Sequence, residues 1–280
     1  MPFSILINGY PQRAVPVAQV QGPALQGMFL QLMEQVDPAV SARLHADNRY
    51  RPYTLSPLGI GERGRGFRGF RLPRDRELKA GTPCYVRVTF LEDALFPTFS
   101  RFFLSSPSPM LRLGRVDFPV TEVLATPQSG NEWSSYISYE QLITRNVERR
   151  DRRIALRFVT PTSFRTRDVD LPIPLPRLVF QSYLRRFQDF SQIALLPDFV
   201  DQVEQYTGIA RIEKFRTDTI RTNKTVLNGF VGEVTFVIGK KAPPDLVSQM
   251  HLLADFAFFC GTGKKTTVGM GQTVQLGIKN

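Results

Sequence analysis

Residues 261–272, GTGKKTTVGMGQ, set four glycines (Gly261, Gly263, Gly269, Gly271) around two lysines (Lys264, Lys265) and two threonines (Thr266, Thr267). Glycine admits positive φ and close approach, and ammonium groups, hydroxyls and backbone N–H groups are donors that suit phosphate. A nucleotide-binding version of this chemistry does not fit. A Walker loop needs G-x-x-x-x-G-K-[ST] and a long helix after it. Here Lys265 follows Gly263-Lys264, Phe258 stands where the first glycine belongs, and nine residues of mostly β character follow Gly271. The dinucleotide fingerprint G-x-G-x-x-G fails as well, because the third glycine is displaced. A plain surface turn accounts for one or two glycines, but less well for four that frame two lysines.

A second set of residues could move protons. His45 lies in ARLHADNRYRPYTLS, among Arg43, Arg49 and Arg51, with Tyr50 beside Arg51. Cations near an imidazole favour its neutral form and stabilise a phosphorane charge. A structural histidine at a helix C-terminus accounts for the same placement. His251, in the apolar SQMHLLADF, reads as a buried helix residue. Arginine is concentrated in two stretches. Residues 61–76 hold six, including Arg63, Arg65 and Arg68, interleaved with Phe67 and Phe70, and residues 145–157 hold six more, including Arg149. Arginine with aromatics suits a phosphate backbone and stacked bases, a solvated loop being the plain alternative. Glu92-Asp93 and Asp168/Asp170 are acidic pairs without partners for a two-metal site. Two cysteines, Cys84 and Cys260, and two distant histidines are too few for zinc. No metal and no cofactor is expected.

The elements that must position these residues follow from periodicity. The weak alternation of 13–20 predicts a strand. Leu25, Met28, Phe29, Leu32, Met33 and Val36 recur at helical spacing over 23–36, and Asp37-Pro38 caps a second helix over 37–48. Strands are predicted over 51–58, 84–92 and 110–125, with a helix over 94–106 and a Gly/Arg-rich loop over 59–81. The order then repeats: a strand over 153–164, helices over 177–193 and 197–207, strands over 210–222 and 230–239 turning near Asn228-Gly229, a helix over 244–260 and a strand over 272–279. Each half reads β-α-β-β-α-β, so the fold class is α+β with two tandem ferredoxin-like (RRM-like) domains, 1–130 and 150–280. The glycine segment joins the last helix to the last strand of the second.

Composition narrows the partner. Of 36 basic residues 28 are Arg, and the net charge is +11. A surface of that sign, made of planar forks, favours a nucleic acid. The opening MPFSILINGYPQR lacks a charged n-region and a long apolar core, and no run of about 18 apolar residues occurs. A cytoplasmic protein without a membrane partner is therefore expected.

Three stretches carry a family resemblance: Leu44-His45 with YRPYTLSPL (50–58), VTPTSFR (159–165), and GFVGEVTF (229–236) leading to LADFAFFCGTGKKTTVGMGQ (253–272). In that order they resemble the CRISPR-associated RNA-processing endoribonucleases, the Cas-six family of the repeat-associated (RAMP) superfamily. The resemblance implies metal-independent cutting of CRISPR precursor RNA inside each repeat. The 2′-OH attacks the adjacent phosphate and leaves a 2′,3′-cyclic phosphate and a 5′-OH. It implies a catalytic role for His45. Arg51 stands where many members carry a catalytic lysine, and Tyr50 is the nearest substitute for a tyrosine that some members place on the first helix. The glycine segment, Arg149, Arg165 and the 61–76 arginines are the expected RNA contacts. A non-catalytic RNA-binding subunit of an interference complex would share the loop and the basic face but not the need for His45. The expected partners are repeat RNA or its guide-RNA product and subunits of such a complex, with the chain a monomer or homodimer.

Overall fold

The structure is a computed structural model, and it describes residues 1–46, 50–61, 73, 76–127 and 131–277. The chain forms two compact units. One is Met1–Tyr136 with Ile220–Leu227 and Thr267–Gly269; the other is Ile137–Thr219 with Asn228–Thr266 and Met270–Asn280.

In the first unit, β1 (Phe3–Gly9) is followed by α1 (Pro23–Val36), α2 (Pro38–His45), β2 (Tyr53–Leu55), β3 (Cys84–Phe90), α3 (Leu95–Leu104), β4 (Met110–Leu113) and β5 (Val116–Leu124). The strands lie in the order β2-β3-β1-β5-β4, and β1 pairs antiparallel with both β3 and β5. Omitting β4, this is the ferredoxin-like order. Phe3, Ile5 and Ile7 of β1 pack with Leu25, Phe29 and Met33 of α1 and with Val88 and Phe90 of β3.

The second unit contains α4 (Tyr139–Asn146), β6 (Arg153–Thr162), a short hairpin of β7 (Phe164–Thr166) and β8 (Val169–Leu171), α5 (Pro176–Ser191), α6 (Phe199–Tyr206), β9 (Thr207–Arg221), β10 (Val226–Ile238), α7 (Pro244–Cys260) and β11 (Thr273–Leu276). Its sheet runs β9-β10-β6-β11, again the ferredoxin-like order. Eleven residues of α7 are buried, so this helix is apolar on nearly all sides. Both domains are thus ferredoxin-like.

Three expectations need correction. The first strand is Phe3–Gly9, not 13–20. Phe3–Asn8 is buried on both faces, its polar Ser4 and Asn8 included, and Pro16 lacks the N–H a ladder needs. Half of 13–20 is a 3-10 turn, Val17–Val20. The β9–β10 turn is at residues 222–225, where Thr222 Oγ1 accepts from the N–H of Thr225 at 3.0 Å. Asn228-Gly229 lies inside β10, because a Cβ on Gly229 would come within 2.3 Å of Thr162 N: the glycine serves close strand packing, not a turn. Residues 131–149, left between the two expected domains, contain α4, whose start is a capping box between Ser138 and Gln141.

Candidate active site and nucleic-acid interface

Helix α2 begins with Asp37, whose carboxylate accepts from the N–H groups of Ala39 and Val40, and Pro38 sits at its first turn. Its last residue is His45, exposed to solvent. His45 Nδ1 lies 3.1 Å from the Ser41 carbonyl. A carbonyl only accepts, so Nδ1 carries the proton and Nε2 is the acceptor nitrogen of the neutral ring. Arg51 Nη2 donates to the His45 carbonyl at 3.3 Å and so caps the helix end. Its other terminal nitrogen, Nη1, is buried with no hydrogen-bond partner among the described residues. An unmade charged donor is costly, typically 1–3 kcal/mol or more for a buried group. The geometry is that of an anion-binding fork beside a proton acceptor.

The neighbours of this pair were not foreseen. The Tyr53 hydroxyl accepts from Gln26 Nε2 at 3.1 Å, and Gln26 Nε2 also reaches Thr267 Oγ1 at 3.3 Å. Burial raises the Tyr53 pKa, while the Gln26 bond and the charge of Arg51 act the other way. Gln26 thus fastens the glycine-loop tip of the first unit to α1. The signal was faint: Gln26 is one of four polar residues on α1, with Gln31, Glu34 and Gln35. Tyr50 is half-buried and precedes Arg51. Arg43 is turned to other work, bonding Glu92 Oε2 at 2.9 Å. Arg49, Arg63, Arg65 and Arg68 lie outside the described residues.

The glycine segment is built largely against its own protein. A Cβ on Gly263 (φ +74°) would meet the Ser163 carbonyl at 2.3 Å, and one on Gly271 (φ +75°) would meet the Thr262 carbonyl at 2.1 Å. Both glycines are therefore required by chain packing, whatever else they allow. Gly261 and Gly269 also have positive φ and are buried. The N–H groups of Thr262, Lys264 and Gly271 donate to the carbonyls of Gly271, Ser163 and Pro161. Thr262 Oγ1 joins Tyr183 at 2.6 Å and Thr273 at 2.7 Å. Arg186, buried on α5, donates to the carbonyls of Gly263 and Ser182. This buried cation was not singled out in sequence, where it is one of many arginines.

Lys264 bonds Asp170 on β8, and Arg165 on β7 bonds the same carboxylate at 3.1 Å. The Lys264 hydrogen bond above all, with Arg165 adding, holds the Asp170 carboxyl below its usual range. Lys265 is exposed, in the left-handed region at φ +55°, and has no ion pair among the described residues. Thr266 is buried and Thr267 half-buried. The structure therefore gathers His45, Arg51 and Tyr50 at one place in the first unit. Lys264, Arg165 and most of the glycine segment come together in the second. Arg149 lies apart, at the end of the second sheet opposite the glycine segment.

Comparison with known proteins bears on both places. Residues 1–144 match the family profile described as CRISPR Cas6 N-terminal domain, and residues 156–273 match CRISPR-associated endoribonuclease Cas6. A product complex of Cas6 from Thermus thermophilus superposes with a TM-score of 0.80 at 28% identity, covering 99% of each chain. A second Cas6 product complex gives 0.74 at 27%, covering 99% of this chain and 100% of the other. A curated CRISPR-associated endoribonuclease Cas6 from Streptococcus thermophilus is 26% identical over 128 residues, 45% of this chain and 51% of the relative. The match thus spans about half the length of that relative.

Proposed function

The chain belongs to the Cas6 family of CRISPR-associated endoribonucleases, and from that premise we propose that it cuts CRISPR precursor RNA within its repeats without a metal ion. The observation that carries the mechanism is the Arg51 guanidinium nitrogen Nη1, buried and without a hydrogen-bond partner among the described residues, next to an imidazole whose Nε2 accepts. In this reading His45 Nε2 takes the proton of the 2′-OH. The 2′-oxygen bonds to phosphorus, and the P–O5′ bond breaks. A proton returns to the departing 5′-oxygen from the imidazolium or from Tyr50, leaving a 2′,3′-cyclic phosphate and a 5′-OH. Arg51 supplies its unmade hydrogen bond to the phosphorane oxygens, where charge develops. It stabilises that charge without giving up a proton, because its pKa is too high.

The glycine segment supports the RNA rather than the chemistry. With residues 262, 264 and 271 already hydrogen-bonded to protein, the contacts offered to RNA phosphate are the exposed Lys265, Thr267, and Lys264 shared with Asp170. The test is incubation with matching repeat RNA in excess EDTA, with and without a 2′-deoxy residue at the cut site. Full cutting of the unmodified RNA and none of the deoxy RNA is the expected result. Loss of cutting in EDTA, or unchanged cutting of the deoxy RNA, overturns the mechanism. RNA that is bound but never cut would favour a guide-RNA-binding subunit.

A further inference from the structure

The arginine stretch 145–157 meets the β10–α7 turn at one end of the second unit. The Arg152 guanidinium donates to the carbonyls of Gly239 and Ala242, and the Ile238 N–H donates to the Arg152 carbonyl at 2.8 Å. This staple gathers Arg149, Arg150, Arg152, Arg153, Lys240 and Lys241. Arg150, Arg153, Lys240 and Lys241 are exposed.

None of the six forms an ion pair among the described residues, although Glu148 and Asp151 adjoin them in the chain. Several other cations of the unit are neutralised at close range: Arg165 and Lys264 by Asp170, Arg177 by Asp201 and Glu204, Arg216 by Asp218. Like charges packed together without counter-charges repel, and a polyanion relieves that repulsion. The cluster sits at the start of β6, where Arg153 is the first residue. The glycine segment is fixed just past the other end, where the Lys264 N–H donates to the Ser163 carbonyl at 2.9 Å. Ten residues of strand separate them, about 30 Å at ~3.3 Å per residue. That is the rise of about nine stacked nucleotides of one strand.

We propose that Arg149, Arg150, Arg153, Lys240 and Lys241, held by the Arg152 staple, form a second phosphate-binding surface. It takes the precursor RNA strand beyond the segment held at the glycine loop, without reading its sequence. The proposal rests on the RNA-processing reading above. An exposed array of cations contacts phosphates, which fix position, and not base edges.

The test compares two non-cleavable RNAs carrying a 2′-deoxy residue at the cut site: the repeat alone, and the repeat extended by about a dozen nucleotides at its 5′ or 3′ end. Each is titrated against wild type and against the triple variant Arg153→Glu, Lys240→Glu, Lys241→Glu across a range of salt. Wild type should bind one extended RNA more tightly than the repeat, with a steeper salt dependence. The triple variant should lose that gain, its log–log slope on the extended RNA falling by about 2, at ~0.7 per lost contact. A second variant, Lys240→Arg with Lys241→Arg, should keep the gain and shows that charge, not folding, is at stake. If wild type binds the repeat but gains nothing from either extension, or if the triple variant keeps the gain, the second surface is refuted and the processing reading stands. If wild type binds neither RNA, both fail together.

Discussion

The two histidines are chemically identical and structurally opposite. His45 ends a short helix at the surface, with Nδ1 donating to Ser41 and Nε2 left as the acceptor. His251 lies inside α7 with no exposed surface, its Nε2 donating to the Asp151 carbonyl at 2.8 Å and its Nδ1 accepting from Gln275 at 3.2 Å. Their tautomers are reversed by their partners. Around His251 both ring nitrogens are engaged, as a structural group requires. Around His45 lie a proton acceptor and a guanidinium nitrogen without a partner among the described residues. What separates the proposed catalytic histidine from the structural one is the bonds left unmade, and residue type alone does not carry that information.

The comparison breaks most sharply on rate. His45→Ala should slow single-turnover cleavage by ~10²–10⁴-fold, the usual worth of general acid–base catalysis, with RNA affinity nearly kept. His251→Gln should cut at close to the wild-type rate. The reverse pattern would mean that the buried histidine is the working one. The next effect belongs to Arg51. Arg51→Ala should cost ~10²–10³-fold in the same assay, as removal of one preorganised donor to a developing oxyanion does. Arg51→Lys should recover part of the loss, because the charge returns without the planar fork. An Arg51→Ala enzyme that binds weakly but turns over bound RNA at full rate would move Arg51 from the chemistry to ground-state binding.

Much of this arrangement was legible in the residues. The periodicity of 23–36 and the long apolar run of 244–260 mark the two helices, and the Asp37-Pro38 cap places His45 at a helix end. The glycine segment could be set between the last helix and last strand because that apolar run is too long for a strand. Other features were hidden for physical reasons. FSILING is buried on both faces, so its polar Ser4 and Asn8 mark no solvent-facing side. Asn228-Gly229 carries a turn signature, yet its glycine is consumed by contact with Thr162. The same lesson applies to Gly263 and Gly271, whose sequence context suggests phosphate and whose close contacts are protein carbonyls. Helix α4 did announce itself, in the Ser138–Gln141 capping box, within the residues left between the two expected domains. Gln26, Tyr53 and Arg186 reveal their roles only through partners distant in the chain, which periodicity cannot supply.

The smallest effect concerns stability rather than rate, and it separates the histidines by pH. Burial lowers the His251 pKa; the Asp151 carbonyl bond opposes this, Arg149 adds to the lowering, and the charges of Asp151 and Asp255 act against it. In the unfolded chain the imidazole takes its proton near pH ~6.5. In the folded protein it does so only at lower pH. Between those two points the unfolded state binds more protons, so stability must fall as pH drops below ~6.5 and level off below the folded value. One group can contribute a slope of at most ~1.4 kcal/mol per pH unit in that window. Denaturant unfolding at pH 7.5, 6.5 and 5.5 should show this decline in wild type, and His251→Gln should show a shallower one because its amide does not titrate. Equal slopes in wild type and His251→Gln would mean that His251 titrates alike in both states, and that its burial does not hold it neutral.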